Sequence, residues 1–186
     1  LLAGFYQRQE RFADMVPVLQ GALERSEEDS AADIDLHFSL GMALERTSRY
    51  DEADRAFREV LAIDPDDSRT LNYLGYMWAE QGKKLDEALE LIERAVALEP
   101  DTGAYVDSLG WVYYQLGRYD EARQQLERAA ELLPEDATIL EHLGDVYVQL
   151  ELPDKARELY QRAAARNEEN VEGVRRKLAQ LGTGGS

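Results

Sequence analysis

The chain has 186 residues, 44% of them hydrophobic, and 38 acidic side chains against 21 basic ones give a formal charge of −17. That balance speaks against nucleic acid, because phosphate neutralisation needs Lys and Arg clustered on one face, and it fits a solvated acidic exterior. With no cysteine in the chain, disulfides, thiol nucleophiles and thiolate metal sites are excluded, and the apolar runs fall short of the roughly 18 residues a membrane span needs.

Taken in chain order, residues 1–33 read as a truncated N-terminal unit followed by a loop. Leu2 and Ala3 stand where later units carry Leu-Gly, Met15 stands where they carry Ala, and Leu19 and Ala22 keep the apolar register of a second helix. Pro17 predicts a late start or a kink in that helix, since proline removes a backbone donor. Ser26 to Asp33 is polar and acidic and predicts a loop longer than the other junctions. Opening inside a unit and without Met, the chain reads as a fragment of a longer protein.

Four complete units follow, at 34–67, 68–102, 103–136 and 137–170. In the first, apolar residues at 36, 40 and 44 mark a helix over Ile34 to Arg46. Ser48 and Arg49 make a turn, and Tyr50-Asp51-Glu52 opens a second helix with acids in the first turn, where the helix dipole favours them. Asp64-Pro65-Asp66-Asp67 stops that helix and starts the next unit. An extra residue at Lys83-Lys84-Leu85 lengthens the second unit to 35. The fourth lacks the turn Gly of the third (Gly117) and uses Glu151-Leu152-Pro153-Asp154. Beyond the units, Val171, Val174, Leu178 and Leu181 form one apolar stripe with Arg175, Arg176, Lys177 and Gln180 opposite, predicting a capping helix over 171–182 and a flexible tail at 183–186.

The units share fixed marks. Leu-Gly recurs at Gly41, Gly75, Gly110 and Gly144; an Ala follows at Ala53, Ala88, Ala122 and Ala156; a bulky residue follows four later at Phe57, Ile92, Leu126 and Tyr160; and Pro65, Pro100 and Pro134 close three units. Each helix-interior glycine costs about 1 kcal/mol relative to Ala, so its repetition at one register points to close packing of paired helices. The fold class is therefore all-α, a solenoid of antiparallel helix pairs.

Little in this pattern carries chemistry. His37 sits where other units place Leu71, Val106 and Leu140, a packing position. His142, beside Glu141 and near Asp145, has no second histidine nearby to complete a zinc set. The acid pairs Asp51/Glu52, Asp86/Glu87 and Asp120/Glu121 repeat at helix starts and read as dipole partners, not as the unlike carboxylates of a hydrolase. Ser108 lies mid-helix, outside any nucleophile elbow, and the only Gly-rich stretch ends the chain. The expectation is no enzymatic activity and no cofactor, with a metal-dependent or acid/base hydrolase as a remote alternative.

Counting the Gly as position eight, the Leu at position seven and the residue at eleven (Leu44, Trp78, Tyr113, Tyr147) face the core. Positions five, nine and twelve then share another face of each first helix. They place Phe38, Met42, Asn72, Tyr76, Asp107, Trp111, Tyr114, Glu141 and Asp145 on one surface. Two readings stand for it, a peptide-binding groove or packing between units. As a groove it favours an apolar, aromatic or basic protein segment, with aromatics supplying contact area and carboxylates the sign preference. Self-assembly by stacking through the truncated N-terminal end, where Leu1 and Leu2 lack a preceding unit, is the alternative within binding proteins.

With these marks recurring four times in register, the chain resembles the tetratricopeptide repeat family over residues 34–170. That resemblance implies a right-handed superhelix whose concave face, lined by the first helices, binds peptides or protein segments. The family's carboxylate clamp uses Lys and Asn at positions five and nine; only Asn72 matches, so the resemblance does not extend to that clamp. A narrower similarity, carried by Leu71-Asn72-Tyr73-Leu74-Gly75-Tyr76, by Lys84-Leu85-Asp86-Glu87-Ala88 and by Asp107-Ser108-Leu109-Gly110-Trp111, is to bacterial repeat proteins of the cell envelope. Some of these are outer-membrane lipoproteins that scaffold proteases or assembly machinery, which implies the periplasmic side of the envelope before the cytoplasm. The lipid-bearing Cys of such proteins is absent from this sequence.

Overall fold

The computed structural model describes residues 2–26, 31–166 and 171–183, and among them every element is a helix. These are α1 (Leu2–Arg8), α2 (Phe12–Leu23), α3 (Ala31–Arg46), α4 (Tyr50–Ile63), α5 (Ser68–Glu80), α6 (Leu85–Leu98), α7 (Gly103–Gln115), α8 (Tyr119–Leu132), α9 (Ala137–Gln149), α10 (Pro153–Ala164) and α11 (Val171–Thr183). Part of the predicted loop at 26–33 is helical, because α3 begins at Ala31; residues 27–30 and the tail from 184 onward lie outside the described residues.

Two local chemistries set the boundaries. At the start of α5 the Asp67 carboxylate accepts the Thr70 N–H at 2.7 Å, and at the start of α9 Asp136 accepts from Thr138 at 2.9 Å and Ile139 at 3.1 Å. Each capped carboxylate satisfies helix-end donors that have no partner inside the helix. At the turn within a unit one residue adopts left-handed backbone: Ser48 (φ 60°), Gly117 (φ 72°) and Glu151 (φ 58°). The lengthened second turn uses two, Gly82 (φ 60°) and Lys84 (φ 48°).

Of the two outcomes expected at Pro17, a late start or a kink, α2 excludes the first. It starts at Phe12 and runs through Pro17, with no late start. Interior proline costs about 3 kcal/mol. Met15, Val16 and Leu19 are only 1%, 3% and 2% exposed, and burying each such side chain contributes about 1.5–3 kcal/mol. Their packing on α3 outweighs the missing hydrogen bond.

Within a unit the helices are close because of the glycines. A Cβ on Gly110 would lie 2.5 Å from Leu126 Cγ and 3.2 Å from the Ala122 carbonyl oxygen; on Gly75 it would lie 2.6 Å from Ile92 and 2.9 Å from the Ala88 carbonyl oxygen. The small Ala admits the approach, and the bulky residue one turn on fills the space over the glycine. Phe57, Ile92, Leu126 and the four alanines are all fully buried.

Between units, two contacts repeat. The residue at position eleven donates to a carboxylate on the preceding unit's second helix: Trp78 Nε1 to Asp54 at 2.9 Å, Tyr113 to Glu93 at 3.1 Å and Tyr147 to Glu127 at 2.6 Å. An arginine on the second helix donates to the carbonyl of the proline that closes the preceding unit: Arg94 to Pro65 at 2.7 Å, Arg128 to Pro100, and Arg162 to Pro134 at 2.9 Å. First helices of neighbouring units also touch, α5 with α7 and α7 with α9, so this row forms the inner side of the stack. At the far end α11 packs on α10, with Val174 fully buried and Leu178 and Leu181 against the same apolar cluster as Leu159 and Tyr160.

Candidate functional site

The inner row places positions five, nine and twelve of α3, α5, α7 and α9 on one side, but they do not all meet the same surroundings. Phe38 is 7% exposed; the rings of Phe57 and Tyr73 meet it edge-on at 5.7 and 5.6 Å, and the Arg69 guanidinium lies 3.9 Å above it. Residues of the next unit close over this ring, so it has little surface to offer. Met42 is half-buried against the same core. Phe38 belongs to packing between α3, α4 and α5.

From Tyr76 onward the face is different. Tyr76, Trp111 and Tyr114 are each partly exposed. Trp111 is stacked between Tyr114 (centroids 4.9 Å apart, planes 8° apart) and His142 (4.1 Å, 16°). The three stacked rings form a continuous shelf across α7 and α9, with both faces of Trp111 covered by its neighbours. Burial, foremost, and then the carboxylates of Glu80, Asp107 and Glu141 push the Tyr76 hydroxyl well above its ordinary value. Its field therefore includes acids from α5, α7 and α9. Two polar atoms here have no hydrogen-bond partner and are covered by protein atoms, Asn72 Oδ1 and Trp111 Nε1.

The acids are paired. Asp107, 6% exposed, accepts from His142 Nδ1 at 3.0 and 3.2 Å. Burial pushes the His142 imidazole pKa down, but the Asp107 charge and hydrogen bond, with the fields of Asp145 and Glu80, raise it overall. Glu141 and Asp145, each 9% exposed, share the Lys177 ammonium of α11 at 2.7 and 2.6 Å. Tyr160 on α10 donates to the other Asp145 oxygen at 2.6 Å. Burial lowers the Lys177 pKa, while the hydrogen bonds and charges of Asp145 and Glu141 raise it further.

Six of the nine predicted residues thus converge (Tyr76, Asp107, Trp111, Tyr114, Glu141, Asp145), Asn72 flanks them, and Phe38 and Met42 stand apart. Sequence reasoning weighed His142 only as a metal ligand and Lys177 only as part of a polar helix face. Their partners lie 35 and 32 residues away, and only the stacking of units brings them together. A second opening, about 410 Å³, lies between α3, α4 and α5 and is lined by Glu45, Tyr50, Tyr73, Tyr76, Met77 and Glu80 among others. No group of three His, Asp or Glu side chains among the described residues is placed to hold a metal ion. No helix among them is long and apolar enough to cross a membrane.

Helix pairs stacked in one direction, with an inner row of first helices carrying partly exposed aromatics, define a repeat solenoid. Tetratricopeptide repeat profiles match residues 1–66, 38–104 and 108–171, and the chain belongs to that family, an all-α right-handed superhelical solenoid. Solved structures of MamA have the same fold. The MamA 41-end structure from Desulfovibrio magneticus RS-1 is 20% identical, with a TM-score of 0.74 over 95% of this chain and 92% of that one. MamA AMB-1 is 22% identical, with 0.69 over 92% and 95%. Another MamA crystal structure is 17% identical, with 0.72 over 92% and 98%. No curated protein matches by sequence.

Proposed function

We propose that this chain is a non-enzymatic interaction scaffold whose inner face holds a protein or peptide segment against the shelf of stacked rings and the neighbouring, partly exposed Tyr76. The observation that carries this reading is the partial exposure of Tyr76, Trp111 and Tyr114 on the inner face, although Trp111 and Tyr114 also pack against the core. Leu74, Trp78, Val112 and Tyr147 already fill the inter-helix positions, each 6% exposed or less. Aromatic side chains at the centre of an interface supply much of its binding energy. Asn72 flanks the shelf; its Oδ1 is covered, so only its NH2 can donate to a ligand carbonyl. Glu80, at the rim of the neighbouring opening, favours basic over acidic segments, while Glu45 there is offset by Arg46 at 3.9 Å. Recovery of a crosslinked partner by the intact protein, and its loss in Trp111→Ala, tests this function.

A second reading is supported by the N-terminal end, where Leu2 is 52% and Phe5 43% exposed on α1. Apolar side chains there suit stacking on another copy, which concentration-dependent light scattering would register.

A further inference from the structure

The acids at the α9 end of the inner face are already in contact with an ammonium group, and that contact shows which ligand chemistry the site accepts. Glu141 and Asp145 lie one helical turn apart on α9, so both carboxylates point the same way. Lys177 Nζ lies 2.7 Å from one and 2.6 Å from the other, and 5.8 Å from the Tyr160 ring centroid. The Tyr160 hydroxyl fixes Asp145 by donating to its second oxygen at 2.6 Å. Each carboxylate gives a single oxygen to one nitrogen, the geometry of a compact ammonium. Arginine can instead place two nitrogens on two oxygens of one carboxylate, as Arg49 does with Glu52 at 2.7 and 2.6 Å.

The lysine arrives on α11, whose apolar residues Val174, Leu178 and Leu181 anchor it to the cluster around Tyr160. Lys177 itself keeps 33% of its side chain exposed. An opening of about 270 Å³ between Tyr114, Val148, Gln149 and Leu181 reaches both Asp145 and Lys177. The carboxylates are buried while Lys177 covers them, and the opening that Tyr114 borders lies beside the ammonium.

We propose that Glu141, Asp145 and Tyr160 form a lysine-recognition subsite at the end of the binding face, filled in cis by Lys177 of α11, and that a partner's lysine displaces Lys177 to occupy it. This deepens the binding reading above and rests on it for the identity of the occupant, a basic segment of another protein. The subsite itself stands on the geometry of Lys177 alone.

The test uses the whole chain with Lys177→Ala and n-propylammonium chloride, which supplies the three carbons and the ammonium that the substitution removes. The thermal midpoint of Lys177→Ala should rise saturably with n-propylammonium above the effect of sodium chloride at equal ionic strength. Wild type should need about tenfold more amine for the same response, because Lys177 competes for the site, and Asp145→Asn combined with Lys177→Ala should lose the response. Lys177→Met, which keeps the aliphatic stem, should bind an acetylated, amidated Leu-Lys-Leu-Lys-Leu peptide about tenfold more tightly than wild type, if Lys177 fills the site about nine-tenths of the time. No specific amine response, or the same response without Asp145, overturns the subsite; equal peptide affinity in Lys177→Met and wild type overturns displacement. If the amine response holds while Trp111→Ala leaves native-partner affinity unchanged, the binding-face reading fails and the subsite stands.

Discussion

His142 on α9 hydrogen-bonds Asp107 on α7 across a unit boundary, its Nδ1 3.0 Å from the nearer carboxylate oxygen, while the Trp111 ring stacks on its other side at 4.1 Å. Because the folded state raises the His142 pKa above its ordinary 6.5, this pair stabilises the fold with protonated histidine. The contribution is complete below about pH 6.5 and is lost as pH rises through the higher folded value. Thermal midpoints of wild type should therefore fall from pH 6 to 9 relative to those of His142→Gln. Parallel curves for the two proteins would contradict this.

Close approach at the glycines predicts a cost wherever backbone faces the added carbon. Gly75→Ala should destabilise by about 1–3 kcal/mol, because the Ala88 carbonyl oxygen, at 2.9 Å, cannot rotate away. Urea denaturation measures it; an unchanged midpoint would mean that α5 and α6 separate at little cost.

The left-handed turn position predicts the opposite sign. Glu151 holds φ 58° where the third unit has Gly117. Left-handed backbone costs a non-glycine residue about 1–2 kcal/mol, so Glu151→Gly should stabilise, less the extra chain entropy of glycine, by up to about 1 kcal/mol. A loss of stability would show that the Glu151 side chain supplies a compensating contact.

Much of this architecture is legible in the sequence, because Leu-Gly, Ala, a bulky residue and Pro recur at intervals that only one helix-pair geometry satisfies. The helix starts at Tyr50 and Ser68 and the turns at Ser48, Gly117 and Glu151 follow from local chemistry. The inter-unit contacts were hidden although their residues recur as well: Arg94-Ala95, Arg128-Ala129 and Arg162-Ala163 stand in one register. Their acceptors are carbonyls 28 or 29 residues back, and a carbonyl has no residue signature. The sequence leaves position five open between groove and packing in every unit alike; Arg69 and Tyr73 cover Phe38, whereas Asp107 at the same position meets a histidine. Which residue covers a position depends on the next unit, and helical period alone does not carry that information.

Charge on the binding face gives a further prediction. Asp145 is committed to Lys177 and Tyr160, so reversing it would also disturb α11. Glu80, exposed at the end of α5 and hydrogen-bonded to Tyr76, is the cleaner position. Glu80→Lys should weaken a basic partner mainly through slower association, with the difference shrinking as salt is added. An unchanged association rate at low salt would exclude this rim from the encounter.

The central claim is that partners bind along the inner row of first helices. Site-specific photocrosslinking in the native cell tests it most directly, with the reactive residue placed at Tyr114 on the aromatic shelf or at Gln124, exposed on the second helix α8. The account predicts partner adducts from position 114 and none from 124, with the 114 adduct lost when Trp111→Ala removes about 2 kcal/mol or more of a hot-spot contact. Adducts from 124 with none from 114 would contradict it.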